Sequence, residues 1–195
     1  MTSSFKPLKP LFVAVATAVT LNLALAVEVE GTRFDDNVKV ANADLVLNGT
    51  GVRSKFGKRY VAALYVGEKS SNASAILAAK GPQRIALHLL KDADGHTFAK
   101  AFSSAIEDNT SGGEMASIQD RVKLLSEIMQ GMGEVKAGSV VLIDWVPGKG
   151  TQVTVNGKVQ GKEIPGEDFR KALFRVWIGE NPVQDDLKAG LLSRS

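Results

Sequence analysis

Cysteine is absent from the 195 residues, which excludes disulfide staples, thiol nucleophiles and thiolate metal sites together. Histidine is scarce: His88 and His96 are the two present, so a histidine-rich metal cluster is excluded and no metal is expected. The motifs that announce nucleotide and hydrolase chemistry are also missing. Gly49-Thr50-Gly51 lacks the third glycine of a dinucleotide fingerprint, since Arg53 is followed by Ser54. Gly148-Lys149-Gly150-Thr151 lacks the upstream glycine of a phosphate loop, and there is no Gly-x-Ser-x-Gly nucleophile elbow. No cofactor is therefore expected.

What is present is an ordinary globular balance. Hydrophobic residues make up 44% and charged residues 23%, enough apolar content to exclude a disordered chain and enough length for one domain with a real core. The first 26 residues read apart from the rest. Lys6 and Lys9 precede an apolar run from Leu11 to Leu25, and Ala24-Leu25-Ala26 closes it with small residues flanking a larger one. This is the pattern of a secretory signal peptide over residues 1–26, with cleavage before Val27 and a periplasmic destination. The run is at the short end for a bilayer span, so no stable membrane span is expected after cleavage. Lys6 and Lys9 supply two of the three surplus positive charges. Without them the domain at 27–195 is nearly neutral, and its charge gives no case for a nucleic-acid partner.

Within that domain the first half favours strands: Val27–Glu30, Arg33–Val40, and a stronger pair, Asp44–Ser54 and Arg59–Val66, joined as a hairpin by Lys55-Phe56-Gly57-Lys58. A short helix over Ala73–Lys80, capped by Ser71 or Asn72, stops at Gly81-Pro82, and Arg84–Leu90 returns to strand. The middle is helical. Asp94 can cap a helix from about His96 to Glu107 with Phe98, Phe102 and Ile106 on one side, and Gly112-Gly113 is expected to break it. The next helix carries Met115, Ile118, Val122, Leu125, Met129 and Met132 at helical spacing, read as core packing in preference to a ligand groove. The last third has strands at Ser139–Val146, Thr151–Val155 and Lys158–Glu163, the last two flanking the strong hairpin signal Asn156-Gly157. A helix bearing Phe169, Leu173, Val176 and Trp177 follows, then a second from Val183 to Leu192. Strands and helices so segregated predict an α+β fold, with an antiparallel sheet covered by helices on one face.

Few residues point to chemistry. His88 lies in an apolar strand and reads as packing; His96 sits near a helix start beside Asp94. Asp35-Asp36 and Asp185-Asp186 read as a turn and a helix start. Arg53 is different. It ends a strand that begins apolar and contains two glycines, and Tyr60 opens the partner strand, so the hairpin can bring guanidinium and phenol together. Facing a sheet–helix cleft, the two could hold a carboxylate or phenolate, with the small residues Ala62 and Ala63 leaving room for an apolar body. The alternative is a solvated basic turn, since Lys55, Lys58 and Arg59 are neighbours.

Four segments carry a resemblance: Leu47-Asn48-Gly49-Thr50-Gly51-Val52-Arg53; Tyr60-Val61-Ala62-Ala63-Leu64-Tyr65-Val66; Pro147-Gly148-Lys149-Gly150-Thr151 with Asn156-Gly157-Lys158; and Ile164-Pro165-Gly166-Glu167-Asp168-Phe169 through Trp177-Ile178-Gly179-Glu180-Asn181-Pro182, continuing into Asp186-Leu187-Lys188. In this order they resemble a bacterial secreted member of the chalcone isomerase-like superfamily, over about Val27 to Leu192. The resemblance implies an open-faced β-sandwich, with a large antiparallel sheet under a helical layer and a ligand cleft between. Arg53 falls on the arginine that stabilises negative charge in the plant isomerases, which close a flavanone ring from a phenolic enone. Other positions depart. Phe98 stands where the catalytic tyrosine would be, and Tyr60 near the threonine of the partner strand. An apolar residue around Leu89 replaces a lysine, and Arg170 or Lys171 falls near a late serine or threonine. These departures resemble the non-catalytic, fatty-acid-binding branch, where an arginine and a tyrosine hold the carboxylate of an acyl chain. The resemblance implies that Arg53 and Tyr60 bind a small amphipathic acid, fatty or phenolic, with Phe98, Phe102 and Ala62 lining its tunnel. An isomerase acting through Arg53 and an envelope scaffold are the rival readings; the scaffold would be favoured by a filled cleft, or by Arg53 paired to Asp44 or Asp144.

Overall fold

The computed structural model describes residues 26–193; of the expected leader, residues 1–25 lie outside them. Two short strands, β1 (Ala26–Val29) and β2 (Thr32–Asp35), form a hairpin of their own. The main sheet has seven strands: β3 (Asn37–Val40), β4 (Ala43–Ser54), β5 (Lys58–Val66), β6 (Gln83–Leu89), then β9 (Val140–Val146), β10 (Gly150–Val155) and β11 (Lys158–Ile164). Between β6 and β9 comes a two-residue pair, β7 (Ala93–Asp94) with β8 (Glu134–Val135). The main sheet runs β11-β10-β9-β6-β5-β4-β3, antiparallel throughout. Its helices are α1 (Ala73–Ala78), α2 (Gly95–Glu107), α3 (Gly112–Gly131), α4 (Glu167–Ile178) and α5 (Asp185–Leu192).

Side-chain alternation sorts the sheet into two faces. In β5, Ala62, Leu64 and Val66 point into a core shared with the helices, whereas Val61, Ala63 and Tyr65 join Phe34, Val40, Leu45 and Leu47 on the other side. The unbroken apolar run of β5 thus marks a strand covered twice. The helical cover on one face is as expected. The second layer, the β1–β2 hairpin with Phe34 pressed edge-on against His88 at 4.6 Å between ring centroids, is additional.

Most element ends fall within two residues of expectation, and two boundaries differ more substantially. Arg33–Val40, expected as one segment, divides at Asp36, whose carbonyl accepts from Leu47 N at 2.8 Å; β2 then pairs with β1 and β3 with β4. Gly112 and Gly113, expected to separate two helices, instead form the first turn of α3, and the break falls just before Ser111. That serine caps the helix by accepting from Glu114 N, and a side-chain cap outweighs the modest propensity cost of glycine in a first turn. The Asn156-Gly157 turn forms as expected, both residues at positive φ.

The close approach of α5 to β4 does most to position the site. A Cβ at Gly49 would overlap the carbonyl oxygens of Gly190, Leu191 and Ser193, one at Gly51 would meet Leu187, and one at Gly190 would overlap Thr50 O. Backbone lies directly on backbone here. Buried Asn48 fastens the contact, its Nδ2 donating to Leu191 O at 2.7 Å and Ser70 O at 3.0 Å while its Oδ1 accepts from Ser70 N at 2.8 Å. Gly49→Ala is expected to lower stability by about 2–3 kcal/mol, because every clashing atom is backbone and cannot turn aside. Urea denaturation of the variant beside the wild type checks this.

Candidate functional site

The β4–β5 hairpin places its two polar residues by register. Arg53 and Tyr60 are directly opposed cross-strand partners, so their side chains leave the same face. The register shifts immediately afterwards, between Arg53 and Ser54. From above, α2 contributes Phe98 and Phe102, one helical turn apart and stacked with ring centroids 5.8 Å apart. Thr97 and Ala101 come from the same helix, Val176 from α4, and Val183 from the α4–α5 connection. These residues, with Lys55, Phe56 and Arg59 at the rim, enclose a cavity of about 320 Å³.

Tyr60 is almost wholly buried, and its hydroxyl accepts from Trp177 Nε1 at 3.2 Å. Among the described residues no acceptor meets its own hydrogen, so a buried donor is left open toward the cavity. Burial pushes this phenol up to about 12, against the opposing pull of the Trp177 N–H and the Arg53 charge. Tyr60 is therefore a neutral donor at every physiological pH. Trp177 is itself fixed by Phe102, edge-on at 5.3 Å.

Arg53 is half-buried. Its Nη1 donates to Gln184 Oε1 at 3.2 Å and, more weakly, to Ser54 O at 3.5 Å. Gln184 in turn clamps the strand end, accepting from Ser54 N at 2.8 Å and donating to Val52 O at 3.1 Å. No carboxylate among the described residues pairs with Arg53. Asp44 is held by Lys39 and Asp144 by a two-pronged contact from Arg84 at 2.6 and 2.7 Å, so neither acidic partner considered from the sequence is engaged with it. The lining contains three cations, Arg53, Lys55 and Arg59, and no acidic residue. Such a site attracts an anion with an apolar body.

Arg53, Tyr60, Phe98 and Phe102 are thus brought to one cavity, but Ala62 is not. It is fully buried, opposite Gly51, and Leu187 of α5 packs over that glycine. The room left by these small residues is filled by a helix, not by ligand space. Arg170, expected near the cleft, is also elsewhere: wholly buried, it donates to Gln83 Oε1 at 2.9 Å and lies 5.7 Å from the Trp145 ring centroid. His88 faces the hairpin layer. Sequence reasoning missed Gln184, Val183 and Phe56 as site residues. Val183 and Gln184, expected as the first residues of the last helix, instead lie just before α5, and only the fold brings that connection to the end of β4.

A family model described as chalcone isomerase-like matches residues 26–193. The chain belongs to the chalcone isomerase-like family. Among solved structures, the chain is similar to a fatty-acid binding protein of Arabidopsis thaliana, at 14% identity and a TM-score of 0.69, over 86% of this chain and 96% of that one. At that identity the likeness establishes the chalcone isomerase-like fold. None of the curated proteins compared matches the chain.

The raised Tyr60 has a consequence for pH. Tyr65, on the other face, is also pushed up to about 12, chiefly by burial. A phenol whose proton is held more tightly in the folded chain stabilises that chain fully below the unfolded value of 10; this contribution is lost as pH rises from 10 toward 12. These are the only two tyrosines in the chain. Alkaline titration followed at 295 nm is expected to show almost no tyrosinate at pH 10, with ionisation arriving together with loss of the near-ultraviolet circular dichroism.

Proposed function

We propose that this protein holds a small amphipathic acid, a fatty acid of short to medium chain or a single-ring phenolic acid, without transforming it. The observation that carries this reading is an apolar cavity with an unneutralised guanidinium and an unaccepted buried phenol hydrogen, Arg53 and Tyr60, side by side on its wall. A carboxylate placed there would receive charge-assisted hydrogen bonds from both, while Phe98, Phe102 and Val176 enclose its chain. The volume, about 320 Å³, is near the lower limit of ligand cavities, roughly 300–1,000 Å³, which favours shorter chains. The Arabidopsis fatty-acid binding protein shares the fold and supports a ligand of this class. No lining residue is a carboxylate or imidazole that could relay a proton near neutrality, which favours holding over turnover. The engagement of Arg53 with Gln184, in place of an internal carboxylate, counts against a purely structural role.

Isothermal titration with decanoate tests the reading. The wild type is expected to bind one equivalent, and Arg53→Ala to lose about 2–5 kcal/mol of affinity, some thirtyfold or more, with little change in melting temperature. Affinity within about threefold of wild type, about 0.7 kcal/mol, would remove Arg53 as the anchor.

We also infer export. The apolar segment ending at Ala26 supports it, and cutting before Val27 would remove only Ala26 from β1. N-terminal sequencing of the protein recovered from a periplasmic extract is expected to begin Val-Glu-Val-Glu; recovery of the uncut chain from the cytoplasm would overturn this.

A further inference from the structure

Phe56 is the most exposed large hydrophobic side chain among the described residues, with 94% of its surface in water. It stands at the tip of the β4–β5 turn among cations. Lys55 precedes it, and Lys58 and Arg59 follow. Lys91 reaches in from beyond β6, its Nζ 3.5 Å from Phe56 O. The nearby carboxylates are engaged: Glu30 with Lys58 at 2.6 Å, Asp92 with Lys136 and Ala137 N, and Asp94 as the cap of α2. The side chains of Lys55 and Arg59 have no partner among the described residues. The same turn forms the lip of the cavity, whose lining includes Lys55, Phe56 and Arg59.

We infer that this turn is a docking tip for an anionic lipid bilayer, and that it brings the cavity mouth to the headgroup layer, where amphipathic acids partition. A lone aromatic ring projecting from a turn suits a fluid apolar surface, whereas a protein partner would need a pocket shaped to receive it. Cations ringing the aromatic would meet lipid phosphates as the ring enters the acyl boundary, with the lysine stems contributing apolar contact. Docking rests on the turn alone. Its use in loading a ligand rests on the acid-binding reading above.

Phe56→Trp in the full chain reads the tip directly. Trp145 and Trp177 are buried, and residues 1–26 contain no tryptophan, so binding driven by the leader would leave the new emission unchanged. Vesicles of phosphatidylcholine with about 30% phosphatidylglycerol are expected to shift this emission to the blue, and brominated acyl chains to quench it. The shift should vanish on pure phosphatidylcholine and in roughly 0.5 M salt, where the screening length is only a few Å. Adding Lys55→Glu and Arg59→Glu should weaken vesicle binding by about tenfold or more. An emission maximum unmoved by anionic vesicles, or a shift equal on neutral ones or after the charge reversals, overturns the proposal. Decanoate titration of the wild type without vesicles reports on the cavity alone, so failure of one reading is distinguishable from failure of the other.

Discussion

The arrangement depends on a helix lying on a strand with almost nothing between them. Gly49 and Gly51 of β4, with Gly190 of α5, remove the side chains that would hold the two backbones apart. Asn48 then ties the helix C-terminus to the strand. This contact fixes where α5 begins, and therefore where Gln184 stands. Gln184 bonds Val52, Ser54 and Arg53, so the position of the guanidinium follows from glycines several residues away. A cluster of small residues that resembles a failed nucleotide motif is thus a packing device whose product is an aimed arginine.

Three arginines show why Arg53 differs in kind. Arg84 sits directly opposite Asp144 across two strands and is neutralised by two short contacts. Arg170 is wholly buried beneath α4, where Gln83, Ala79 O and the Trp145 face satisfy much of it, and Glu167 Oε1 lies 3.6 Å away. Both are spent on the fold. Arg53 has one side-chain hydrogen-bond partner, the uncharged amide of Gln184, and an apolar hollow beside it. Leaving donors open next to apolar surface costs free energy, of order 1–3 kcal/mol for a buried group. Tyr60 carries the same liability, with its hydrogen unaccepted. Two such departures from polar satisfaction stand opposed across one hairpin.

Much of this was legible before any coordinates. Short apolar segments bounded by turn residues, the Asn156-Gly157 turn and the Asp94 cap gave the elements, and the short turn after Ser54 was enough to bring Arg53 near Tyr60. Phe98 and Phe102 were legible as one helical face. The failures have physical causes. Ala62 looked like room for a ligand, but small residues beside glycines admit a helix backbone equally well, and sequence spacing does not distinguish the two uses of space. Gln184 was invisible because its role depends on α5 docking, a contact between residues about 130 positions apart. The β1–β2 layer was missed as a cover because β5, buried on both faces, shows no alternation to reveal a second partner.

The same hairpin that carries Arg53 and Tyr60 also supplies the lip of the cavity, and the two ends of its turn follow opposite rules. At Arg53 and Tyr60 the chain is in regular register and the side chains point inward. The register slips at the very next residue, between Arg53 and Ser54, and Phe56 takes φ of 55°, a left-handed conformation that costs a non-glycine residue about 1–2 kcal/mol. Asparagine or glycine at that position would relieve the backbone and remove an exposed ring. Both penalties, the strain and the exposure, fall on one residue that contributes nothing to either core cluster. Stability alone gives no reason for a phenylalanine at the tip. A surface outside the protein that receives the ring does, and the cations around it set the sign of that surface.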